Sequence, residues 1–132
     1  ISDLTLADCT ESVNSVLTKR EVHNAIITGI QLDILAEKKK LMSPLQHIIE
    51  DDEGLYGIDE ILALSIVNVY GTIGFTNYGY IDKVKPGILK ELNSHDGVHV
   101  HTFLDDIVGA IAAAAASRLA HKEPEKRSRL TQ

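Results

Sequence analysis

Two stretches of this chain have almost no polar positions. The longer is Thr102–Leu119, in which Ile107 to Ala116 has no polar side chain and Ala112–Ala116 is unbroken alanine. A helix apolar on every face belongs inside a protein, and alanine has the best intrinsic helix propensity. The run is well short of the ~20 residues a membrane span needs. It therefore predicts a buried core helix over 103–120. The second stretch, Ile58–Tyr70, has the same design: an acidic pair, Asp59-Glu60, ahead of an apolar run. Its length and leading acids predict a helix over its β-branched residues.

The remaining pattern is amphipathic. Residues 1–9 read as frayed, and Thr10 before Glu11 reads as a helix start. Val22, Ala25, Ile26, Ile30 and Leu32–Leu35 form a stripe that predicts a helix from Glu21 to Lys40. Lys38–Lys40 would then suit the negative end of its dipole. Ser43-Pro44 reads as an N-cap followed by proline at the first helical position. Glu50–Glu53 reads as a solvated acidic turn. Residues 71–80 are rich in glycine and aromatics, and 88–92 predict a short helix. A polar loop with His95, His99 and His101 precedes the alanine helix. The charged tail, 122–132, predicts disorder. With no alternating strand pattern, the chain predicts an all-α domain over 1–121. About six helices would pack around a buried apolar helix, either 103–120 or 58–70 or both.

Composition narrows the chemistry. The 132 residues fit one domain. A net charge of −6 argues against nucleic acid as a partner and permits divalent cations. The single Cys9 excludes an internal disulfide and points to a reducing, cytoplasmic setting. No signal peptide or membrane span is visible. The chain begins at Ile1, which points to an N-terminal piece outside it.

The acidic pairs admit two readings. Acids in a first helical turn stabilise the dipole, and Thr102-x-x-Asp105 resembles a capping box, which makes Asp105 the cap. Against this, both pairs head helices that should be buried, and a buried carboxylate needs a cation or several hydrogen bonds. Neighbouring acids point about 100° apart on a helix, so each pair would offer one inward. Asp33 and Glu37, four apart, form a third pair suited to shared coordination. For Glu37 the plainer reading is a salt bridge to Lys38 or Lys40. Oxygen-only ligands favour Mg²⁺ or Mn²⁺. His99-x-His101 with His95 and Asp96 lacks a standard zinc spacing. Asp82 with Lys85 is either a charged turn or a metal-binding acid beside a phosphate-orienting lysine.

Four segments, in order, resemble a known family. Leu104-Asp105-Asp106-Ile107-Val108-Gly109-Ala110 resembles the Ile-Asp-Asp-x-x-Ala-Gly signature of phosphatidylglycerophosphatase A. Ile58-Asp59-Glu60-Ile61 resembles that family's Trp-Asp-Glu-Phe motif, and Asp82–Pro86 resembles its Phe-Arg-x-x-Asp-x-x-Lys-Pro-x-Pro motif. Asp33 sits where the family has an acid upstream. The resemblance covers about residues 25–118 and is closest to a short soluble branch with an all-α fold. It implies a Mg²⁺-dependent phosphatase with Asp33, Asp59, Glu60, Asp82, Asp105 and Asp106 on the metal. Glu60 or Asp106 would be the general base, and Lys85 would hold phosphate. The substrate would be a phosphorylated small molecule or lipid headgroup, reached from water or peripherally to a membrane. Three motif positions depart: the family's Arg is Gly79, its Trp is Ile58 and its second Pro is Ile88. Losing the Arg removes a bidentate phosphate clamp. The rival expectation is a non-catalytic binding module, or a homo-oligomer, whose acids are only helix caps.

Overall fold

The computed structural model describes residues 4–71 and 99–131, with side chains as far as Ala120. It contains five helices in these segments: α1 (Leu6–Leu17), α2 (Arg20–Glu37), α3 (Leu45–Glu50), α4 (Ile58–Asn68) and α5 (Thr102–Thr131). The all-α expectation holds, and the short helix predicted over 88–92 lies outside the described residues.

The alanine helix is the centre of the fold. α5 packs against α1, α2 and α4, while α2 also touches α1, α3 and α4. Phe103, Ile107, Ala110, Ala113 and Ala114 of α5 are buried with Val16, Val22, Ala25, Ile49, Ala63, Ile66 and Val67. Small residues let three helices approach α5 closely. At Gly29 of α2 the approach is close: a Cβ there would lie 2.5 Å from Ile107 Cδ1, 2.9 Å from Leu62 Cδ2 and 3.0 Å from Phe103 Cβ. The neighbour helices also bond to the central one through side chains. Ser12 Oγ on α1 donates to the Ala115 carbonyl at 2.7 Å, and Ser117 Oγ donates to that of Tyr70 at 3.1 Å.

Several boundaries differ from the sequence reading. α1 begins at Leu6 rather than Thr10, because Thr5 and Asp8 form a reciprocal capping box. α2 stops at Glu37, and Lys39 turns to a positive φ of 59°, so the lysines follow the helix instead of ending it. Pro44 precedes α3 rather than starting it, after a cis Ser43–Pro44 bond, and Ser43 makes no side-chain cap. Gln46 secures this turn instead: its Nε2 donates to the Ala36 carbonyl at 2.7 Å and its Oε1 accepts from Leu41 N at 3.0 Å. α4 starts after Gly57, whose φ of 78° suits a residue without Cβ. α5 continues through Thr131, across the stretch where the sequence predicts disorder.

Candidate functional site

The candidate site lies at the N-terminal ends of α4 and α5. Asp59, the second residue of α4, is buried, and Asp105 and Asp106 near the start of α5 are buried too, each 6–7% exposed. Glu60, next to Asp59, points to solvent. The two heads meet through aromatic packing. Tyr56, just before α4, sets its ring edge against Phe103 at 5.9 Å and 84°. The Tyr56 phenol is pushed above its usual pKa by burial first and by the nearby Asp59 charge second. Thr102 anchors the α5 head from another side, its Oγ donating to the Ile49 carbonyl at 2.5 Å.

Asp33 has a specific task here. It is 4% exposed. Its Oδ1 accepts from Phe103 N at 3.0 Å, and its Oδ2 accepts from Leu104 N at 2.9 Å and Phe103 N at 3.2 Å. Thr102 is the first helical residue, so these are the second and third amides of α5, the donors that an N-cap side chain normally satisfies. The capping box expected from Thr102 and Asp105 is therefore not the cap. Asp105 falls at the fourth helical position, one beyond the place such a box uses, and Asp33 caps the helix from α2. Burial pushes the Asp33 pKa up to about 6, against the lowering effect of its two backbone hydrogen bonds and of His101; the charge of Asp52 adds to the rise. Asp52, read as part of a solvated turn, thus lies within electrostatic reach of this site.

Glu37, one turn beyond Asp33, also binds backbone: its Oε1 accepts from Val100 N at 3.1 Å. That replaces the expected bridge to Lys38 or Lys40; it is Lys39 that pairs across the turn, with Glu50. Between α2 and the approach to α5 lies an open cavity of about 250 Å³. Asp33, Glu37, His99 and His101 supply its polar wall, and Ile30 and Leu104 face them. His99 and His101 stack in parallel, 5.9 Å apart.

Among the described residues no three His, Cys, Asp or Glu side chains are gathered closely enough to hold a metal. A closed zinc site would need four such ligands. Mg²⁺ has a different demand: it keeps several waters and is held by one or two carboxylates plus substrate phosphate. Asp59, Asp105 and Asp106 are oxygen ligands of the type that demand calls for. Asp82 and Lys85, with the altered positions Gly79 and Ile88, lie outside the described residues, as do His95 and Asp96.

The chain matches the description of phosphatidylglycerophosphatase A across residues 2–121. It belongs to that family. The uncharacterized protein YutG of Bacillus subtilis is 70% identical over 120 residues, covering 91% of this chain and 72% of YutG. The fold is similar to the crystal structure of the low temperature requirement C protein of Listeria monocytogenes. That similarity has a TM-score of 0.90 and 74% identity over 92% of this chain and 76% of that one. Protein YpjQ of Bacillus subtilis is similar at a TM-score of 0.88 and 60% identity, over 94% and 76%. No described helix is long and apolar enough to cross a membrane.

Proposed function

We propose that this protein is a Mg²⁺-dependent phosphomonoester hydrolase whose working groups sit on the heads of α4 and α5. The observation that carries the reading is the burial of three carboxylates, Asp59, Asp105 and Asp106, on the abutting ends of two apolar helices. Carboxylate oxygens are the ligands that a hard divalent cation takes. Membership of the phosphatidylglycerophosphatase A family supplies the reaction class.

In this reading Asp59 and Asp106 hold the cation, with Asp82 and Asp105 completing the acidic set and Mn²⁺ able to substitute. When bound, the cation supplies positive charge against the phosphoryl oxygens and makes a water more acidic. Glu60 is the exposed member of the α4 pair, so it can exchange protons with solvent. It is the general base that takes the proton from the attacking water, with Asp106 the alternative. Lys85 steadies the phosphate. The substrate is a phosphorylated small molecule or a lipid headgroup, presented to the heads from the aqueous side.

The test is phosphate release from phosphatidylglycerophosphate and a panel of soluble phosphomonoesters, with Mg²⁺ and with a chelator. Release that requires Mg²⁺ is expected for at least one substrate. Phosphate release that is absent throughout, or unaffected by the chelator, contradicts the reading.

A further inference from the structure

The family resemblance counts Asp33 among the metal ligands, yet its hydrogen bonds give it other partners. We infer that Asp33 is a positioning residue: it caps α5 from α2, and thereby fixes the direction in which Asp105 and Asp106 project, without itself holding a cation. The metal half of this inference rests on the hydrolase reading; the capping half does not.

Three observations support it. Both carboxyl oxygens of Asp33 are turned to backbone amides, at 2.9–3.2 Å, and the amides are those of Phe103 and Leu104. An α-helix leaves its first N–H groups without partners inside the helix. The residue ahead of α5 is His101, which is not one of the residue types, Ser, Thr, Asp or Asn, that favour an N-cap. Glu37 repeats the device one turn along, accepting from Val100 N. The acidic face of α2 is thus a cradle for the backbone of 100–104, immediately ahead of the Asp105–Asp106 pair. An i, i+4 acid pair that looks like a chelate in the sequence is used to seat a helix start.

Asparagine separates the two roles. It caps helices about as well as aspartate, whereas a hard cation prefers a charged carboxylate. The experiment titrates the full chain with Mn²⁺, following binding by electron paramagnetic resonance, for the wild type, Asp33→Asn, Asp33→Ala and Asp106→Asn. Amide exchange at Phe103 and Leu104 is followed by NMR in the same four proteins. The expected result is that Asp33→Asn binds Mn²⁺ within about threefold of wild type and keeps both amides protected, while Asp106→Asn weakens binding by about tenfold or more. Asp33→Ala should lose protection at both amides and bind Mn²⁺ more weakly, which the asparagine variant rescues. Tenfold weaker Mn²⁺ binding in Asp33→Asn with the amides still protected would make Asp33 a ligand and overturn the inference. If the wild type binds no Mn²⁺, the hydrolase reading fails and the amides alone decide. Protection lost in Asp33→Ala and kept in Asp33→Asn supports the cap; protection unchanged in Asp33→Ala removes it.

Discussion

α4 and α5 share a sequence design but not a structural setting. Each begins with paired acids and continues as an apolar helix. α4 starts on a positive-φ glycine with no side-chain cap, and keeps only Asp59 of its pair buried. Its Ile58 and Ile61 are 47% and 62% exposed. α5 is capped by a residue from another helix, buries both acids, and is enclosed by α1, α2 and α4. Among the described residues, the same local pattern therefore serves a helix with two exposed isoleucines and a helix enclosed by three others. What differs there is the number of neighbouring helices, and with it the energetic weight of each side chain.

The sharpest way to break this comparison is at Phe103, which is fully buried and packed on Tyr56. Phe103→Ala should cost about 3–5 kcal/mol in urea unfolding. A loss under ~1 kcal/mol would mean that the α5 head is not enclosed as described. Next in size is Gly29, where α2, α4 and α5 converge. Gly29→Val should destabilise by roughly 1–3 kcal/mol, since Phe103 Cβ cannot swing away as the tips of Leu62 and Ile107 can. Calorimetry that finds the variant as stable as wild type would argue against so close an approach.

The cap has its own signature in pH. The folded-state pKa of Asp33 is about 6, against 3.8 for an unperturbed aspartate. The folded protein therefore holds this proton more tightly than the unfolded chain does, and the Asp33 contribution to stability falls as pH rises between those values. Asp33→Asn lacks the proton, so its stability relative to wild type should improve across that window. Unfolding curves on either side of the window check this; a relative stability that does not change would deny that Asp33 is desolvated. The smallest effect belongs to the outer face of α4: Ile61→Ser should change stability by no more than about 0.5 kcal/mol.

The core helices were legible in the sequence because a segment apolar on all faces has only one place to go. Ile107–Ala116 announced its burial through composition alone, whereas Ile58–Tyr70, read the same way, gave a helix that leaves Ile58, Ile61 and Val69 exposed. The start of α1 was missed although its signal was present, since Thr5-x-x-Asp8 is a capping box lying ahead of the more conspicuous Thr10-Glu11. Asp33 stood out as an acid in an apolar stretch, yet its partners were out of reach. The amides it binds lie about 70 residues along the chain, and backbone amides carry no sequence mark. Glu37 was misread for the same reason, since Lys38 and Lys40 were the partners that local spacing could offer. A local pattern can tell that an acid heads a helix. It cannot tell which acid closes the helix of another segment, and that depends on how α2 and α5 cross.

The central claim is that the buried acids on the two helix heads form one hydrolytic site. Its most direct test is the rate of Mg²⁺-dependent phosphate release by the wild type and by Asp106→Asn, with the fold of the variant checked by its melting curve. The account predicts a loss of about 100-fold or more in a variant that still folds. A folded Asp106→Asn protein that releases phosphate at the wild-type rate would contradict it.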